Sequence, residues 1–349
     1  MPSIATTVQA SGKKQADTTP PAPTIILAPL RGITDALFRN LLQHHFGGIN
    51  QAVAPFINPQ QKAPFDDKLL RDVLPEANQK TLPVIPQLLH TDPEGFLTLA
   101  RRLGDLGYQE INWNLGCPAP MVTRKKRGSG FLPHPEEILA LLDQVLPQLD
   151  LKLSIKTRLG LREPTELLKL LPRFNDYPLT GITIHPRLGC QLYKGTCDLE
   201  TFKRCLILSR HPLTYNGDLT TADTFQALQQ RFPSINSWMI GRGLVANPLL
   251  ALEIRGERFQ QDERIERLHT FHEDLYTSYR RRLAGPSHLL GRMKLIWSYL
   301  AASFEQSDKV FKRIRKTNSE EQYLAVVNEV FRESQTARKR HESSCSVPQ

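Results

Sequence analysis

The feature that most restricts the fold of this chain is an alternation. Eight short strand-like runs, each followed by a turn or a segment with helical spacing, occupy the region from residue 24 to about residue 250. The runs are 24–29, 51–56, 83–89, 110–115, 151–156, 181–185, 213–215 and 237–240. Amphipathic stretches at 35–45, 93–106, 135–149, 164–174, 199–208 and 221–231 lie between them. A strand, a helix and a second strand make a parallel crossover, and eight parallel strands close into a barrel. The expected fold is therefore α/β, a (β/α)8 TIM barrel. An open, doubly wound sheet is the other arrangement that such an alternation allows, although no GxGxxG follows the first run.

Length fits a barrel with something added. The chain has 349 residues, 40% of them apolar, enough for a barrel of about 250 residues and a smaller domain. After about residue 255 the strand candidates stop, and 262–283, 287–304 and 319–335 carry helical periodicity. The expected layout is a disordered polar tail at 1–23, a catalytic barrel at 24–255, a small C-terminal helical domain at 256–337 and a disordered tail at 338–349.

In a barrel of this kind the chemistry sits at the C-terminal ends of the strands. Polar residues collect at those ends here: Arg31, Gln87, Asn112, Asn114, Cys117, Lys156, Arg158, His185, Arg187, Asn216, Asp218 and Arg242. The most telling end is Glu110-Ile-Asn-Trp-Asn-Leu-Gly-Cys-Pro118. Pro118 has no N–H to give to a ladder, so the strand stops and Cys117 is displayed on a turn. A buried structural thiol is the plainer fate for a free cysteine, but Asn112, Asn114 and Gly116 suit a turn that faces a ligand.

Two loops speak to a cofactor. Asn216-Gly217 and Gly241-Arg242-Gly243 follow strands seven and eight, where barrels often hold a phosphate. Glycine lets backbone N–H groups approach an anion, and Arg242 adds a charge-assisted contact. Ordinary turns also use glycine; two such loops in these two positions point to a phosphate-bearing ligand. Lys156 would put a cation beside the ring of that ligand, and for a flavin this favours the anionic reduced form. The plain alternative is a surface lysine.

The formal charge of +10 favours a polyanionic partner. Its concentrations are Arg124-Lys-Lys-Arg127, Arg280-Arg-Arg282, Arg292 with Lys294, and the stretch from Lys309 to Lys316. On helices, such clusters meet RNA by backbone and shape; as solvated faces they would need no partner. Five cysteines without a CxxC pair argue against a disulfide framework or a metal site and for a reducing, cytoplasmic setting. No apolar run reaches the roughly 18 residues of a membrane helix, so no membrane partner is expected.

These residues together resemble the tRNA-dihydrouridine synthases, flavin enzymes that reduce uridine in the D-loop of tRNA. The matching motifs are Ala28-Pro-Leu-Arg-Gly-Ile-Thr-Asp35, Gln87-Leu, Asn112-x-Asn-x-Gly-Cys-Pro118, Lys156-x-Arg158, His185-x-Arg187, Asn216-Gly-Asp218 and Ile240-Gly-Arg-Gly243. The resemblance implies FMN held by Pro29, Leu30, Arg31, Gln87, Lys156, His185, Asn216, Gly217, Asp218, Gly241 and Arg242. It implies Cys117 as proton donor, NADPH as reductant, and Asn114, Arg292 and Lys294 on the RNA side. Arg292-Met-Lys-Leu-Ile-Trp-Ser-Tyr-Leu300 is similar to the C subfamily, whose target is uridine 16. A monomer is expected. An FMN oxidoreductase acting on a free pyrimidine stays open as the alternative, because such enzymes share the scaffold and use cysteine acids. Two positions depart from the pattern. Arg31 stands where the family carries an acidic or small residue, so a contact there falls to the backbone. Leu188 replaces a threonine and removes its hydroxyl.

Overall fold

The computed structural model describes residues 22–58, 67–78 and 82–345. Most of the N-terminal segment expected to be a tail therefore lies outside the described residues. The barrel is built from β1 (Thr24–Leu27), α1 (Ala36–His45), β2 (Gln51–Val53), β3 (Val84–Ile85), β4 (Gln87–Leu88), α2 (Pro93–Asp105) and β5 (Glu110–Leu115). It continues with α3 (Pro120–Thr123), α4 (Pro135–Val145), β6 (Lys152–Gly160), α5 (Thr165–Phe174), β7 (Leu179–Leu188) and α6 (Leu199–Leu208). β8 (Leu213–Tyr215), α7 (Ala222–Arg231) and β9 (Ser237–Ile240) complete it, and α8 (Arg242–Ala246) and α9 (Leu250–Ile254) follow.

All strand pairs are parallel, in the order β3-β2-β1-β9-β8-β7-β6-β5-β4. The first strand meets the last in register from Thr24 with Ser237 to Leu27 with Ile240. β3 and β4 are two halves of one run, expected as residues 83–89 and divided at Pro86, which has no N–H. The first half pairs with β2 and the second with β5. One strand with two sets of partners thus closes eight positions into a barrel.

Alternation along the strands separates two environments. Ile25, Leu27, Trp113, Leu115, Ile155, Ile182, Ile184 and Trp238 are buried in the large core shared with the helices. Ile26, Ala28, Val53, Ile85 and Met239 form a small second core within the barrel. Opposite that apolar patch the interior is polar: Gln87 Nε2 donates to Asn112 Oδ1 at 2.7 Å, and Asn112 Nδ2 donates to Ser154 Oγ at 3.0 Å. Several helices begin at an acidic or hydroxyl N-cap, Asp35 for α1, Asp92 for α2, Asp198 for α6 and Thr221 for α7.

The β6–β7 pair is longer than its sequence runs suggest. Pairing extends to Arg158 with His185 and Gly160 with Leu188. Charged residues at the end of a run read as loop, yet here they ride on paired strand beyond the barrel rim.

Four helices make the C-terminal part: α10 (Gln261–Arg282), α11 (Pro286–Leu300), α12 (Ser307–Lys316) and α13 (Glu320–Cys345). α12 was visible in the sequence only as a basic stretch. Its Val310 and Ile314 are buried while its cations face outward or pair with α13, as Arg313 does with Glu329 and Glu333. α13 continues as helix through Cys345, so the disordered tail expected from 338 is helical over its first part. Within this part Trp297 Nε1 donates to the Tyr323 hydroxyl at 2.9 Å, and that hydroxyl lies 2.6 Å from His272 Nε2. Burial pushes His272 down to about 3, so the imidazole is neutral. No helix among the described residues is long and apolar enough to cross a membrane.

Asp35 fastens the two parts together. Its carboxylate caps α1 through the Phe38 N–H at 3.1 Å, accepts from the Tyr279 hydroxyl at 2.8 Å and pairs with Arg292 at 2.7 Å. Phe271 packs edge-on against Phe38 and Phe46 alongside. Asp35→Ala removes a cap and leaves a half-buried guanidinium unpaired, an expected loss of roughly 3 kcal/mol. Urea unfolding measures it, and Asp35→Ala combined with Arg292→Met is expected to recover part of the loss. Equal destabilisation by the single and double variants would mean that the ion pair is not the joint.

Candidate functional site

Two connected cavities open at the C-terminal ends of the strands. The larger, of about 340 Å3, is lined by Cys117, Asn114, Lys156, Arg158, Tyr193 and Phe56 among others. The smaller, of about 80 Å3, lies between the loops after β8 and β9 and is lined by Asn216 to Thr220 and Gly241 to Gly243. Pro29, Leu30, Lys156, His185, Tyr193 and Arg242 border both.

Cys117 is positioned by the residue three places before it. Asn114 Oδ1 accepts from the N–H groups of Gly116 at 3.0 Å and Cys117 at 2.8 Å. Its Nδ2 donates to Gln87 Oε1 at 2.8 Å. Gly128, at φ +57°, approaches so closely that a Cβ there would lie 2.6 Å from the Cys117 carbonyl oxygen, which Ser129 N–H also holds at 3.0 Å. Burial pushes the Cys117 thiol up, outweighing the Ala119 N–H and the cations Arg158, Arg31 and Lys156. The group is therefore a protonated thiol at neutral pH.

Lys156 Nζ donates to Asn216 Oδ1 at 2.6 Å, and Asn216 Nδ2 donates to the Met239 carbonyl at 2.7 Å. Burial, reinforced by Arg158, pulls Lys156 down to about 7. His185 is lowered well below its ordinary range by burial and by Arg158, Lys156, Arg187 and Arg242. Arg187 has only donors, and its Nη1 lies 3.1 Å from His185 Nε2. His185 Nε2 is thus an acceptor, and the ring proton sits on Nδ1.

Asp218, on the wall of the small cavity, holds two arginines. It takes two hydrogen bonds from Arg187 and one from Arg242 at 3.1 Å. Burial works against its carboxylate, but the guanidinium groups outweigh that and keep it below the usual range. The larger cavity has four cations on its wall, Arg31, Lys156, Arg158 and Arg242, and no carboxylate. Such a donor set fits a ligand that carries negative charge.

Most of the residues expected at the site converge on it. Pro29, Leu30, Asn114, Cys117, Lys156, His185, Asn216, Gly217, Asp218, Gly241 and Arg242 line one or both cavities. Arg31 lies at the outer edge, 5.8 Å from the Phe56 ring centroid and 3.6 Å from Met121 Sδ. Gln87 is fully buried one layer below and does not line either cavity; it braces Asn112 and Asn114. The two expected RNA-side cations of α11 are both committed within the chain. Arg292 is paired with Asp35, although it still borders a 430 Å3 cleft with Arg71 and Arg282, and Lys294 Nζ donates to the Thr317 carbonyl.

Other residues enter that had not been assigned roles. Arg158 and Arg187 follow Lys156 and His185 by two, so the strand period places them on the same face, a signal that the sequence already held. Tyr193 lies between Arg158 and Arg242, with guanidinium carbons 5.3 and 4.8 Å from its ring centroid. Tyr299 reaches the larger cavity from α11, and nothing local in the sequence could show that.

Residues 26–336 match the family model described as dihydrouridine synthase. The chain is 28% identical over 300 residues to the tRNA-dihydrouridine(16) synthase of Pseudomonas putida, covering 84% of this chain and 92% of that relative. It is 26% identical to the enzyme of the same description from Neisseria meningitidis serogroup B, covering 89% of this chain and 96% of the relative. Among solved structures, histamine dehydrogenase from Rhizobium sp. 4-9 superposes with a TM-score of 0.51 at 11% identity, over 71% of this chain and 49% of that one. That likeness concerns the barrel fold.

Lys156 supplies a test of the electrostatics. An unfolded lysine keeps a pKa of about 10.4, whereas the folded one is near 7. Between those values the unfolded chain binds the extra proton, so this group makes the ligand-free fold more stable as pH rises from 7 towards 10. Lys156→Met removes the dependence. Its stability relative to the natural chain is expected to be greatest near pH 7 and to shrink as pH approaches 10, read by urea unfolding at each pH. A constant difference across that range would contradict the buried, uncompensated cation.

Proposed function

The chain belongs to the dihydrouridine synthase family, and on that premise we propose that it reduces a D-loop uridine of tRNA to 5,6-dihydrouridine, at uridine 16, with FMN as cofactor and NADPH as reductant. The observation that carries this is one cavity bordered both by the protonated Cys117 thiol and by the cations around Lys156. Both relatives described above are tRNA-dihydrouridine(16) synthases, which favours that position. The structural neighbours add only the barrel.

The residues fit a phosphorylated flavin. The small cavity suits a single phosphate, bordered by Arg242 and by the backbone of Asn216 to Asp218 and Gly241 to Gly243. The larger one, with four cations and no carboxylate, suits a ring system that becomes anionic and a nucleobase beside it. Lys156, pulled down to about 7 in the absence of an anion, regains its proton when one binds. When bound, the flavin supplies the hydride equivalent that the uracil C6 receives.

The chain supplies the rest. Charge left on the base by reduction at C6 is conjugated to the C4 carbonyl and must be discharged by a proton at C5. Cys117 Sγ holds that proton, because burial keeps the thiol protonated. Asn114 fixes the turn that presents it. Arg158 is 2% exposed and its Nη1 is held by the Leu188 carbonyl at 2.8 Å, so its charge is presented in a fixed direction to the cavity. His185 borders the same cavity, its Nε2 turned to Arg187.

The RNA runs over cations around the mouth. Arg71 and Arg282 are exposed on the walls of the 430 Å3 cleft between barrel and helical part. They are better placed for phosphate contact than Lys294, whose ammonium is already bonded to Thr317.

Cys117→Ala is expected to keep FMN and the oxidation of NADPH by oxygen while lowering dihydrouridine formation about 100-fold or more. Mass spectrometry of the tRNA product reads the effect, and wild-type turnover by the variant would remove Cys117 as the acid. Arg71→Ala with Arg282→Ala is expected to weaken tRNA binding and flatten its salt dependence by roughly one unit per lost phosphate contact. Unchanged binding across a salt series would take the cleft out of the RNA path. Free uridine reduced as readily as tRNA would replace this reading by the free-pyrimidine oxidoreductase.

A further inference from the structure

Leu192 is an anomaly at the mouth of the larger cavity. Its backbone has φ +53°, a left-handed conformation that disfavours a bulky side chain. It is nevertheless 40% exposed, so the fold gains little packing in return. The loop around it is pinned at several points. Gly189 N–H donates to the Gly160 carbonyl at 2.8 Å, Cys190 N–H to Leu161 at 2.9 Å, and Leu192 N–H to Gly189 at 3.0 Å. Gln191 Oε1 accepts the Leu188 N–H at 2.6 Å, and Arg187 holds the Gly195 carbonyl at 2.7 Å. These bonds over-determine the turn and hold an apolar side chain out at the rim, where strain is stored for a purpose other than stability.

What faces Leu192 narrows that purpose. It borders the same cavity as Cys117, among four cations and no carboxylate, so the partner arriving there is polyanionic. Yet leucine has nothing to offer a phosphate. Its natural counterpart on a nucleic acid is the face of a base. A base taken into a closed pocket leaves a gap in the stack behind it, at a cost in lost stacking, and proteins fill or open such gaps with apolar side chains.

We propose that Leu192 fills the place of the target uridine in the RNA: when that base turns into the cavity, the leucine side chain packs against the bases that flanked it. The inference rests on the function proposed above and adds the group that stabilises the everted state. The partner is thus a single-stranded loop with stacked neighbours, not a free nucleoside.

Leu192→Gly tests this without endangering the fold, because glycine takes φ +53° without a steric penalty. The variant is expected to melt higher than the natural holoenzyme, to keep its FMN and to oxidise NADPH with oxygen at the natural rate. Its KM for tRNA is expected to rise about tenfold, the scale of one lost stacking contact, with kcat largely kept. Leu192→Met, which restores an apolar side chain, is expected to bring KM back. A KM for tRNA unchanged in Leu192→Gly overturns the proposal. So does a parallel loss of FMN or of NADPH oxidation, which would place the leucine against the cofactor. A natural chain that forms dihydrouridine while the glycine variant matches it overturns the stacking role alone; a natural chain that forms none in tRNA overturns both this and the function it rests on.

Discussion

Closure of the barrel is the constraint on which everything else depends. β1 pairs with β9 over four residues, and the run containing Pro86 pairs on one side through β3 and on the other through β4. The first of these seams brings segments more than 200 residues apart in sequence to one rim. Pro29 and Leu30 then stand beside Gly241 and Arg242, and Gln87 stands beneath Asn114. A parallel strand cannot meet its neighbour without a crossover, so each seam also fixes which end of every strand faces the cavities. A missing N–H at Pro86 is tolerated because the strand changes partners at that residue.

The interior shows how a barrel carries chemistry without losing its core. One side holds Ile26, Val53, Ile85 and Met239, and the other holds the amide chain from Gln87 through Asn112 to Ser154. Each buried amide in that chain has a partner, which removes the penalty of burying it. The rim above is different. There Lys156, Arg158 and Arg242 crowd a cavity with no carboxylate on its wall, and the strain appears as a lysine and a histidine driven towards neutrality. A site of this kind is preorganised for negative charge that the polypeptide itself does not provide.

Much of this was legible in the sequence, for physical reasons that can be named. Strand runs such as residues 110–115, 213–215 and 237–240 are bounded by turn residues, the first two with a clean period of two, and they coincide with β5, β8 and β9. Polar residues at strand ends located the rim, because a buried parallel strand otherwise has little reason to carry them. Where the charge is itself part of the strand, the same logic failed: Arg158 and Arg187 lie within β6 and β7, beyond the ends expected for those runs. α12 was hidden because five basic residues outweigh its two buried ones in any average. The commitments of Arg292 and Lys294 were not readable, since Asp35 and Thr317 are brought to them only by tertiary packing. Leu192 gave no sign either, because a φ angle is not written in residue type.

Tyr299 belongs to the helical part but forms part of the wall of the larger cavity. The reaction chamber is thus not the property of the barrel alone. Over evolutionary time, a change in how the helical part sits would alter the chamber as well. A chimera that joined this barrel to the helices of a distant relative would inherit a wall shaped for a different approach. The two halves of such a molecule cannot drift separately; selection on one is selection on both.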